Sequence, residues 1–299
     1  MILTMHTLQV TRQAFLLDHL LKHCADLKKT KIKQILKYGS VRVNGRVVTL
    51  HRHELKPGDT IDFLSQKEAL AERLKTGLDF SVIYEDSDLI VVDKPTGLLT
   101  MGTEHEKEDT VYFKLTEYLR TKSDDGHGRV FIVHRLDRDS SGLVVFAKNE
   151  ATKHALQKNW AQTVKKYYAV TEGVPEEKEG RMESHLEEDK FRRVYRVNKE
   201  SRKSRRAVTH YRLLRENGRY ALLDVTLETG RKNQIRVHLS DLGHPITGDM
   251  KYGAQSNPIK RLALHAYHLS LPHPKTGEIK TFTSKLPEPF EKILKSQVA

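Results

Sequence analysis

The segment best equipped for chemistry is FIVHRLDRDSSGLVVFAK, which occupies positions 131–148. Its two apolar runs predict strands, and the polar residues between them predict a loop that displays Arg135, Asp137, Arg138 and Asp139 at one strand end. A carboxylate held among arginines stays ionised, because a nearby positive charge favours the charged form. Asp137 therefore suits a nucleophile or an electrostatic stabiliser better than a general acid. A surface loop with exchangeable ion pairs is the alternative interpretation.

Two further segments favour the catalytic interpretation. A predicted strand at TVKKYYAV carries Lys165, Tyr167 and Ala169 at alternating positions, so their side chains face one side. A helix is predicted to begin near Asn233, and the free N–H groups at the start of a helix attract anions. Arg236 lies inside this helix, where its guanidinium can pair with a buried carboxylate through two hydrogen bonds.

The composition is that of a basic protein with an ordinary apolar content. Of 299 residues, 37% are hydrophobic and 30% are charged, and the net charge is +13. The pI of 9.6 is typical of nucleic-acid-binding proteins. The single cysteine, Cys24, excludes a disulfide framework and a thiolate-rich zinc site. We expect a cytoplasmic protein that binds nucleic acid and no membrane, because neither a long apolar segment nor a secretory signal is evident. A basic enzyme without a polyanionic partner is the alternative.

Residues 12–64 are predicted to form a small α/β unit. A helix is predicted at RQAFLLDHLLKHC and a second one at 30–37. Asn44-Gly45 joins two short alternating runs, which is the strongest short-range signal of a hairpin. Basic side chains crowd one side of this unit and can line up along a phosphate backbone. The candidate RNA-binding residues among them are Lys31, Lys33, Lys37 and Arg42.

The rest of the chain is predicted to contain a polar linker at 65–78 and one large domain at 79–295. Short apolar strand pairs dominate the large domain, and amphipathic helices lie between some of them. Asn217-Gly218 predicts another hairpin. This pattern indicates an α+β fold with a mixed, largely antiparallel sheet.

A second basic segment lies within the large domain. Residues 190–206 contain nine Lys or Arg and one acidic residue, Glu200. Phe191 and Tyr195 are interleaved with the cations, which suits base stacking beside phosphate contacts. A mobile, solvated loop is the alternative. The candidate RNA-binding residues here are Arg192, Arg193, Arg205 and Arg206.

These segments resemble the RluA-type pseudouridine synthases, in the group that carries an S4 RNA-binding domain before the catalytic domain. The family's catalytic aspartate falls on Asp137 in HRLDRDSSGLVVFAK, and its active-site tyrosine falls on Tyr167 in KKYYA. The arginine that pairs with the aspartate falls on Arg236 in TGRKNQIRVHL. The S4 pattern is similar to ILKYGSVRVNGRVV followed by LKPGDTIDF. The resemblance runs from about residue 12 to about residue 290.

The resemblance implies that the chain isomerises uridine in structured RNA to pseudouridine. This reaction breaks the bond between C1′ and N1 and joins C5 to C1′, so it needs no cofactor and no metal. The resemblance leaves open whether Asp137 attacks the base or assists a sugar intermediate. It also leaves open whether Tyr167 stacks on the uracil or takes part in removing the C5 proton. Arg135 resembles the residue that fills the space left by the flipped base. The chain departs from the family at Ser140 and at Lys232-Asn233, where threonine and Thr-His are more usual.

Three rival functions follow from the same sequence. A metal enzyme is suggested by the 16 histidines, but His265 and His268 are three apart in a predicted strand and point to opposite faces. A glycosidase would need a second carboxylate, for which Asp139 or Asp249 is available. An RNA-binding factor with an idle catalytic loop is the third rival.

The RNA target is an expectation from the resemblance alone. The S4-like unit favours ribosomal RNA, with transfer RNA as the alternative. We expect the enzyme to act as a monomer, while the modified position and the number of sites stay open.

Overall fold

Two units make up the chain in a computed structural model, Met1–Asp79 and Phe80–Ala299. The structure describes residues 7–24, 27–37, 40–48, 51–65, 68, 78–123, 127–198 and 200–295, without the side chains of Lys37 and Arg46. The predicted linker at 65–78 lies mostly outside the described residues. None of the helices in the described ranges has the length and hydropathy that crossing a lipid bilayer requires.

The N-terminal unit packs two helices on short strands. Its helices are α1 (Leu16–His23) and α2 (Lys29–Lys37), and its strands are β1 (Leu8–Gln9), β2 (Ala14–Phe15), β3 (Val41–Val43), β4 (Arg46–Val47), β5 (Glu54–Leu55) and β6 (Thr60–Phe63). The sheet order is β1-β6-β3-β4, and β2 pairs with β5. Leu16, Leu20, Ile32 and Leu36 are buried in one apolar cluster between the helices and the sheet.

The predicted hairpin of the N-terminal unit is confirmed. β3 and β4 pair antiparallel, and the two residues between them have positive φ, 51° for Asn44 and 77° for Gly45. Two successive positive φ angles are the geometry that makes Asn-Gly the preferred two-residue turn. The Oδ1 atom of Asn44 also accepts the backbone N–H of Thr60 at 2.9 Å, which ties the turn to β6.

The C-terminal unit is built on one large sheet. Its strands are β7 (Ser81–Glu85), β8 (Leu89–Lys94), β9 (Phe131–Ile132), β10 (Ser141–Ala147), β11 (Val164–Glu172), β12 (Glu179–Glu188), β13 (Val194–Val197), β14 (Arg205–Glu216), β15 (Tyr220–Leu227), β16 (Leu264–Pro272) and β17 (Ile279–Thr283). Its helices are α3 (Val111–Lys122), α4 (Glu150–Lys158), α5 (Gln234–Asp241) and α6 (Glu288–Lys295), with 3₁₀ turns at Trp160–Gln162 and Met250–Tyr252.

Strand order confirms the predicted α+β fold with a mixed, largely antiparallel sheet. The order is β13-β12-β14-β15-β11-β16-β10-β8-β7, with β9 on β10 and β17 on β16. Within the described residues, β10 and β16 form the one parallel pair, and the other pairs are antiparallel. Every residue of β10 is buried, as expected for a strand that is covered on both faces.

The parallel pairing of β10 and β16 requires a glycine at position 142. Its φ is 113°, and a Cβ atom at this position would lie 2.2 Å from the backbone oxygen of Ala266 on β16. Ser141 and Gly142 are already part of β10. The close approach of β16 fixes the point at which the polar loop ends and the sheet begins.

Candidate active site

The loop that carries Asp137 is held by the segment that follows β8. The Oγ1 atom of Thr100 donates to the carbonyl of Leu136 at 2.8 Å and accepts its N–H at 3.2 Å. The N–H of Gly97 donates to the carbonyl of Arg138 at 2.8 Å. Asp137 therefore sits on a loop whose backbone is bonded on both sides of the carboxylate, which suits a group that must keep its orientation.

Lys94, at the end of β8, joins both segments from inside the protein. Its Nζ donates to the carbonyls of Pro95 and Leu98 at 2.8 Å and to that of Arg138 at 3.1 Å. Burial lowers the pKa of Lys94 to about 7, while the charge of Asp139 opposes this shift. An ammonium group has three donors, so the protonated side chain satisfies all three carbonyls. Lys94 was not among the residues predicted from the sequence. It lies in the segment VDKPTGLL, which also resembles the family.

Arg236 contacts Asp137 and is itself held by a second carboxylate. Its Nη1 donates to Oδ2 of Asp137 at 3.3 Å. Its Nε and Nη2 donate to the two oxygens of Asp249, both at 2.7 Å. Asn233 Oδ1 accepts Nη1 at 3.2 Å. The predicted two-bond pairing of Arg236 with a buried carboxylate is thus made with Asp249, and Asp137 receives a single, longer bond.

The arginines beside Asp137 in sequence take other partners. Nη1 of Arg135 lies 3.8 Å from Sδ of Met101, and Nε of Arg138 donates to the carbonyl of Gly97 at 3.2 Å. Both side chains are exposed. The family resemblance implies Arg236 as the partner of Asp137, and the structure brings these two side chains together. The contacting cation is Arg236, ninety-nine positions away.

Tyr167 lies on β11 with its ring buried beside Asp137. Burial and the charge of Asp137 both raise the pKa of Tyr167, so the phenol keeps its proton at neutral pH. A protonated phenol can stack and donate a hydrogen bond, but it cannot accept a proton as a phenolate would. Lys165, two positions earlier, is also buried, and its ammonium lies 5.5 Å from the ring of Trp160.

A cavity of about 230 Å³ brings the predicted catalytic residues together. Its lining includes Arg135, Asp137, Ser140, Tyr167, Leu227, Gly230, Arg231, Lys232, Asn233, Gln234, Arg236 and Leu264. Drug-sized sites usually reach about 300–1,000 Å³, so this cavity suits a group as small as one nucleobase. A larger cavity of about 550 Å³ is lined by residues such as Lys166, His210 and Asp224, and the predicted catalytic side chains do not line it.

The loop before α5 is shaped by two amide side chains. Gln234 accepts the N–H of Arg231 at 3.0 Å and donates to the carbonyl of Val208 at 2.9 Å, which ties the loop to β14. Asn233 has a φ of 53° and makes no side-chain cap of α5. Its Nδ2 donates to the hydroxyl of Tyr252 at 2.9 Å. Asn233 thus stands directly before α5, and its side chain positions Arg236 and Tyr252.

The predicted RNA-binding residues of the C-terminal unit lie in the turn between β12 and β13 and at the start of β14. Arg192 and Arg193 are exposed in the turn between β12 and β13, and Arg205 and Arg206 begin β14. Nε of Arg206 donates to Glu183 at 2.5 Å. Acidic residues of β12 therefore neutralise part of the basic segment, which the count over 190–206 did not include.

The predicted RNA-binding residues of the N-terminal unit have different environments. Lys31 and Lys33 are exposed on α2, on either side of the buried Ile32. Two positions along a helix correspond to a rotation of about 200°, so these lysines lie on two flanks of the exposed surface and not in one row. Arg42 is half-buried on β3. The side chain of Lys37 lies outside the described part of the structure.

The geometry also bears on the rival functions. Both oxygens of Asp249 accept hydrogen bonds from Arg236, so Asp249 is poorly placed to act as the second carboxylate of a glycosidase. In the described residues, one group with metal-ligand spacing is formed by Asp86, Asp88 and His273. Asp86 already accepts hydrogen bonds from the backbone of Leu89 and from the ring of His273, so these atoms hold a turn together.

Known proteins provide an independent comparison. Residues 88–241 match the family described as RNA pseudouridylate synthase. The uncharacterized RNA pseudouridine synthase YlyB of Bacillus subtilis is 32% identical over 91% of this chain and 90% of its own. Ribosomal large subunit pseudouridine synthase D of Haemophilus influenzae is 30% identical over 90% of this chain and 86% of its own. The structure of human RNA Pseudouridylate Synthase Domain Containing 4 covers 74% of this chain and 93% of its own, with 28% identity and a TM-score of 0.60.

Proposed function

The chain belongs to the RNA pseudouridylate synthase family, and we propose that it uses Asp137 to convert uridine in ribosomal RNA to pseudouridine. The observation that carries this assignment is the contact between Asp137 and Arg236 in a base-sized cavity that Tyr167 also lines. Three segments far apart in sequence supply these residues, so their meeting is not a consequence of local composition.

The reaction requires a carboxylate, a pocket for the flipped base and an acceptor for the C5 proton, and the cavity supplies the first two. One ionised carboxylate must act near C1′ or the uracil ring while the glycosidic bond breaks and the base turns to present C5. Asp137 supplies this carboxylate, and Nη1 of Arg236 donates a hydrogen bond to it at 3.3 Å. Substrate and product are isomers, so the account requires no cofactor, no metal and no external nucleophile.

Tyr167 and Arg135 have separate roles in this proposal. The buried, protonated Tyr167 stacks on the flipped uracil and can donate a hydrogen bond. It is not the base that removes the C5 proton unless another group first accepts its own proton. Arg135 is exposed at the rim of the cavity and fills the position that the base leaves in the RNA stack. Flipping costs least where the base is already poorly paired.

Two observations support ribosomal RNA as the substrate. Relatives named ribosomal large subunit pseudouridine synthase D cover most of this chain. We assign the N-terminal unit as an S4-like RNA-binding domain on its motif resemblance and on the exposed Lys31 and Lys33. Ribosomal RNA as substrate also implies action in the cytoplasm. Transfer RNA is the alternative substrate.

A comparison of RNA from cells with and without the gene tests this function. Pseudouridine is mapped in ribosomal and transfer RNA of the deletion strain, and of the same strain complemented with the wild-type gene or with Asp137→Asn. We expect one or more ribosomal positions to lose pseudouridine on deletion and to regain it with the wild-type gene alone. Loss of pseudouridine confined to transfer RNA would overturn ribosomal RNA as the substrate. Restoration by Asp137→Asn would overturn the role of Asp137, and unchanged maps in both RNAs would favour the idle RNA-binding factor.

A further inference from the structure

Phe191 is the most exposed of the large hydrophobic side chains in the described residues, with 77% of its surface accessible. It lies in the turn between β12 and β13, which we call the Phe191 turn and define as residues 189–193. A lone exposed apolar residue is ordinary on a protein surface. The contacts around this one make it different.

The Phe191 turn is closed by its own hydrogen bonds. The Oδ1 atom of Asp189 accepts the N–H groups of Phe191 and Arg193, both at 2.8 Å. Asp189 and Arg193 also exchange a backbone hydrogen bond of 2.9 Å. Arg192 has a φ of 60°, a conformation that costs free energy for any residue with a Cβ. Such strain persists where surrounding contacts fix the backbone, which is frequent at functional sites.

The same turn is bonded to the wall of the Asp137 cavity. The carbonyl of Arg192 accepts Nζ of Lys232 at 3.5 Å and Nζ of Lys251 at 3.2 Å. Lys232 lines the cavity. The N–H of Val194, directly after the turn, donates to the hydroxyl of Tyr252 at 3.2 Å. The ring of Tyr252 lies 4.9 Å from the guanidinium of Arg236. These contacts connect the turn to Lys232 and Arg236, which line the Asp137 cavity.

The charges around Phe191 favour a polyanion. Lys190, Arg192 and Arg193 are exposed in or beside the turn, and the ammonium of Lys190 lies 5.1 Å from the Phe191 ring. Cations that alternate with an exposed aromatic ring are typical of surfaces on which RNA bases stack while phosphates are neutralised. Two acids lie beside these cations: Asp189 accepts backbone N–H groups of the turn, and Glu188 is paired with Lys232.

We propose that Phe191 stacks on an unpaired base next to the uridine that enters the Asp137 cavity, and thereby selects substrates in which that neighbour is unpaired. This proposal rests on the proposed function and extends it to a residue that does not touch the reacting base. The proposal assigns this role to Phe191 and not to Tyr195, because Tyr195 lies on β13 and is only 40% exposed. The ring binds a base and leaves the chemical step unchanged.

Binding of poly(U), measured at one fixed salt concentration, tests the proposal independently of catalysis. Phe191→Leu keeps an apolar side chain and removes the aromatic face, so Kd rises about 5- to 150-fold, equivalent to about 1–3 kcal/mol for one stacked base. Phe191→Trp keeps Kd within about twofold, because an indole ring stacks at least as well. The control is Ile279→Ala, which truncates an apolar side chain with 63% exposure on β17 and leaves Kd unchanged.

Turnover of protein-free ribosomal RNA supplies the second readout. Phe191→Leu raises KM and leaves kcat unchanged, since stacking is equal in the ground and transition states. The proposal is overturned if Phe191→Leu binds poly(U) like the wild type, or if Phe191→Trp is as defective as Phe191→Leu. The proposal would also be overturned if Phe191→Leu acted normally on protein-free ribosomal RNA and poorly on ribosomal particles. Phe191 would then contact a ribosomal protein and not a base. Wild-type protein that binds poly(U) but modifies no ribosomal RNA contradicts the proposed function and leaves the stacking test intact.

Discussion

Arg236 divides its hydrogen bonds unequally between two carboxylates. Two bonds of 2.7 Å go to the fully buried Asp249, and one of 3.3 Å goes to Asp137. Burial opposes the charge of Arg236, but the bonds to Asp249 outweigh it and raise its pKa. Asp249 therefore fixes the guanidinium, and Asp137 stays loosely paired. In the proposed function this arrangement is useful, because the guanidinium is held in place while Asp137 keeps an oxygen atom available for the substrate.

Asp249→Asn should weaken both the fold and the reaction. The amide offers one acceptor oxygen in place of two and leaves a buried guanidinium undercompensated, so we expect the free energy of unfolding to fall by about 3–5 kcal/mol. Chemical denaturation measures this loss. The matched control is Glu291→Gln at the surface pair of Arg215 and Glu291, which is also bonded twice. Its loss should stay under about 1 kcal/mol. Equal losses in the two variants would contradict the role given to Asp249.

At the scale of elements, β10 shows how a strand start can be set by its neighbour. The apolar run from Leu143 predicts the strand, and the structure extends it to Ser141 because β16 pairs there in parallel. The position of Gly142 against Ala266 leaves no space for a side chain. The loop that carries Asp137 ends where this pairing begins, at Ser141.

Gly142→Ala should therefore disturb the catalytic loop through the sheet. Its Cβ would lie 2.2–2.7 Å from three backbone atoms of Ala266, so the strands must separate. We expect a loss of more than about 2 kcal/mol in the free energy of unfolding, together with loss of activity. Gly102→Ala is the control, because its nearest contacts are at 3.4 Å. A Gly142→Ala variant as stable as Gly102→Ala would show that β10 and β16 do not need this contact.

Much of the site was predictable because its residues occupy recognisable local patterns. Apolar runs on both sides of Asp137 predict the strands that present it, and Asn-Gly pairs predict the turns. Asp249 was not predictable as the partner of Arg236, because pairing across thirteen residues depends on how α5 and the following loop pack. The turn and strand at 189–197 were not predicted, because the segment is strongly basic. The acids that neutralise part of this charge lie on β12 and were not counted with it.

For the whole molecule, buried histidines link the fold to pH. Burial lowers the pKa of His134 to about 3 and the pKa values of His238 and His265 to about 4. All three are neutral in the folded protein at pH 7. Their ring nitrogens bond to groups such as the N–H of Val145 and the hydroxyl of Ser184. An unfolded chain binds protons at these positions from about pH 6.5 downward.

Stability should therefore decline in mild acid. The folded pKa values lie below the unfolded value, so the unfolded state binds more protons as pH falls below 6.5, and the free energy of unfolding decreases. Each histidine contributes about 1 kcal/mol per pH unit in this range. Denaturation curves between pH 6.5 and 5 measure the slope. His238→Gln should reduce the slope by one such contribution. A flat profile in the wild type would show that these histidines are not buried in the neutral form.

In the proposed function Asp137 performs the isomerisation, and its charge is not needed to bind RNA. Purified wild type and Asp137→Asn are incubated with protein-free ribosomal RNA from a strain lacking the gene, and newly formed pseudouridine and RNA binding are both quantified. Asparagine keeps the size of the side chain and removes its charge, so we predict no pseudouridine with Asp137→Asn and RNA binding equal to that of the wild type. Pseudouridine formed by Asp137→Asn at the wild-type position would contradict the account.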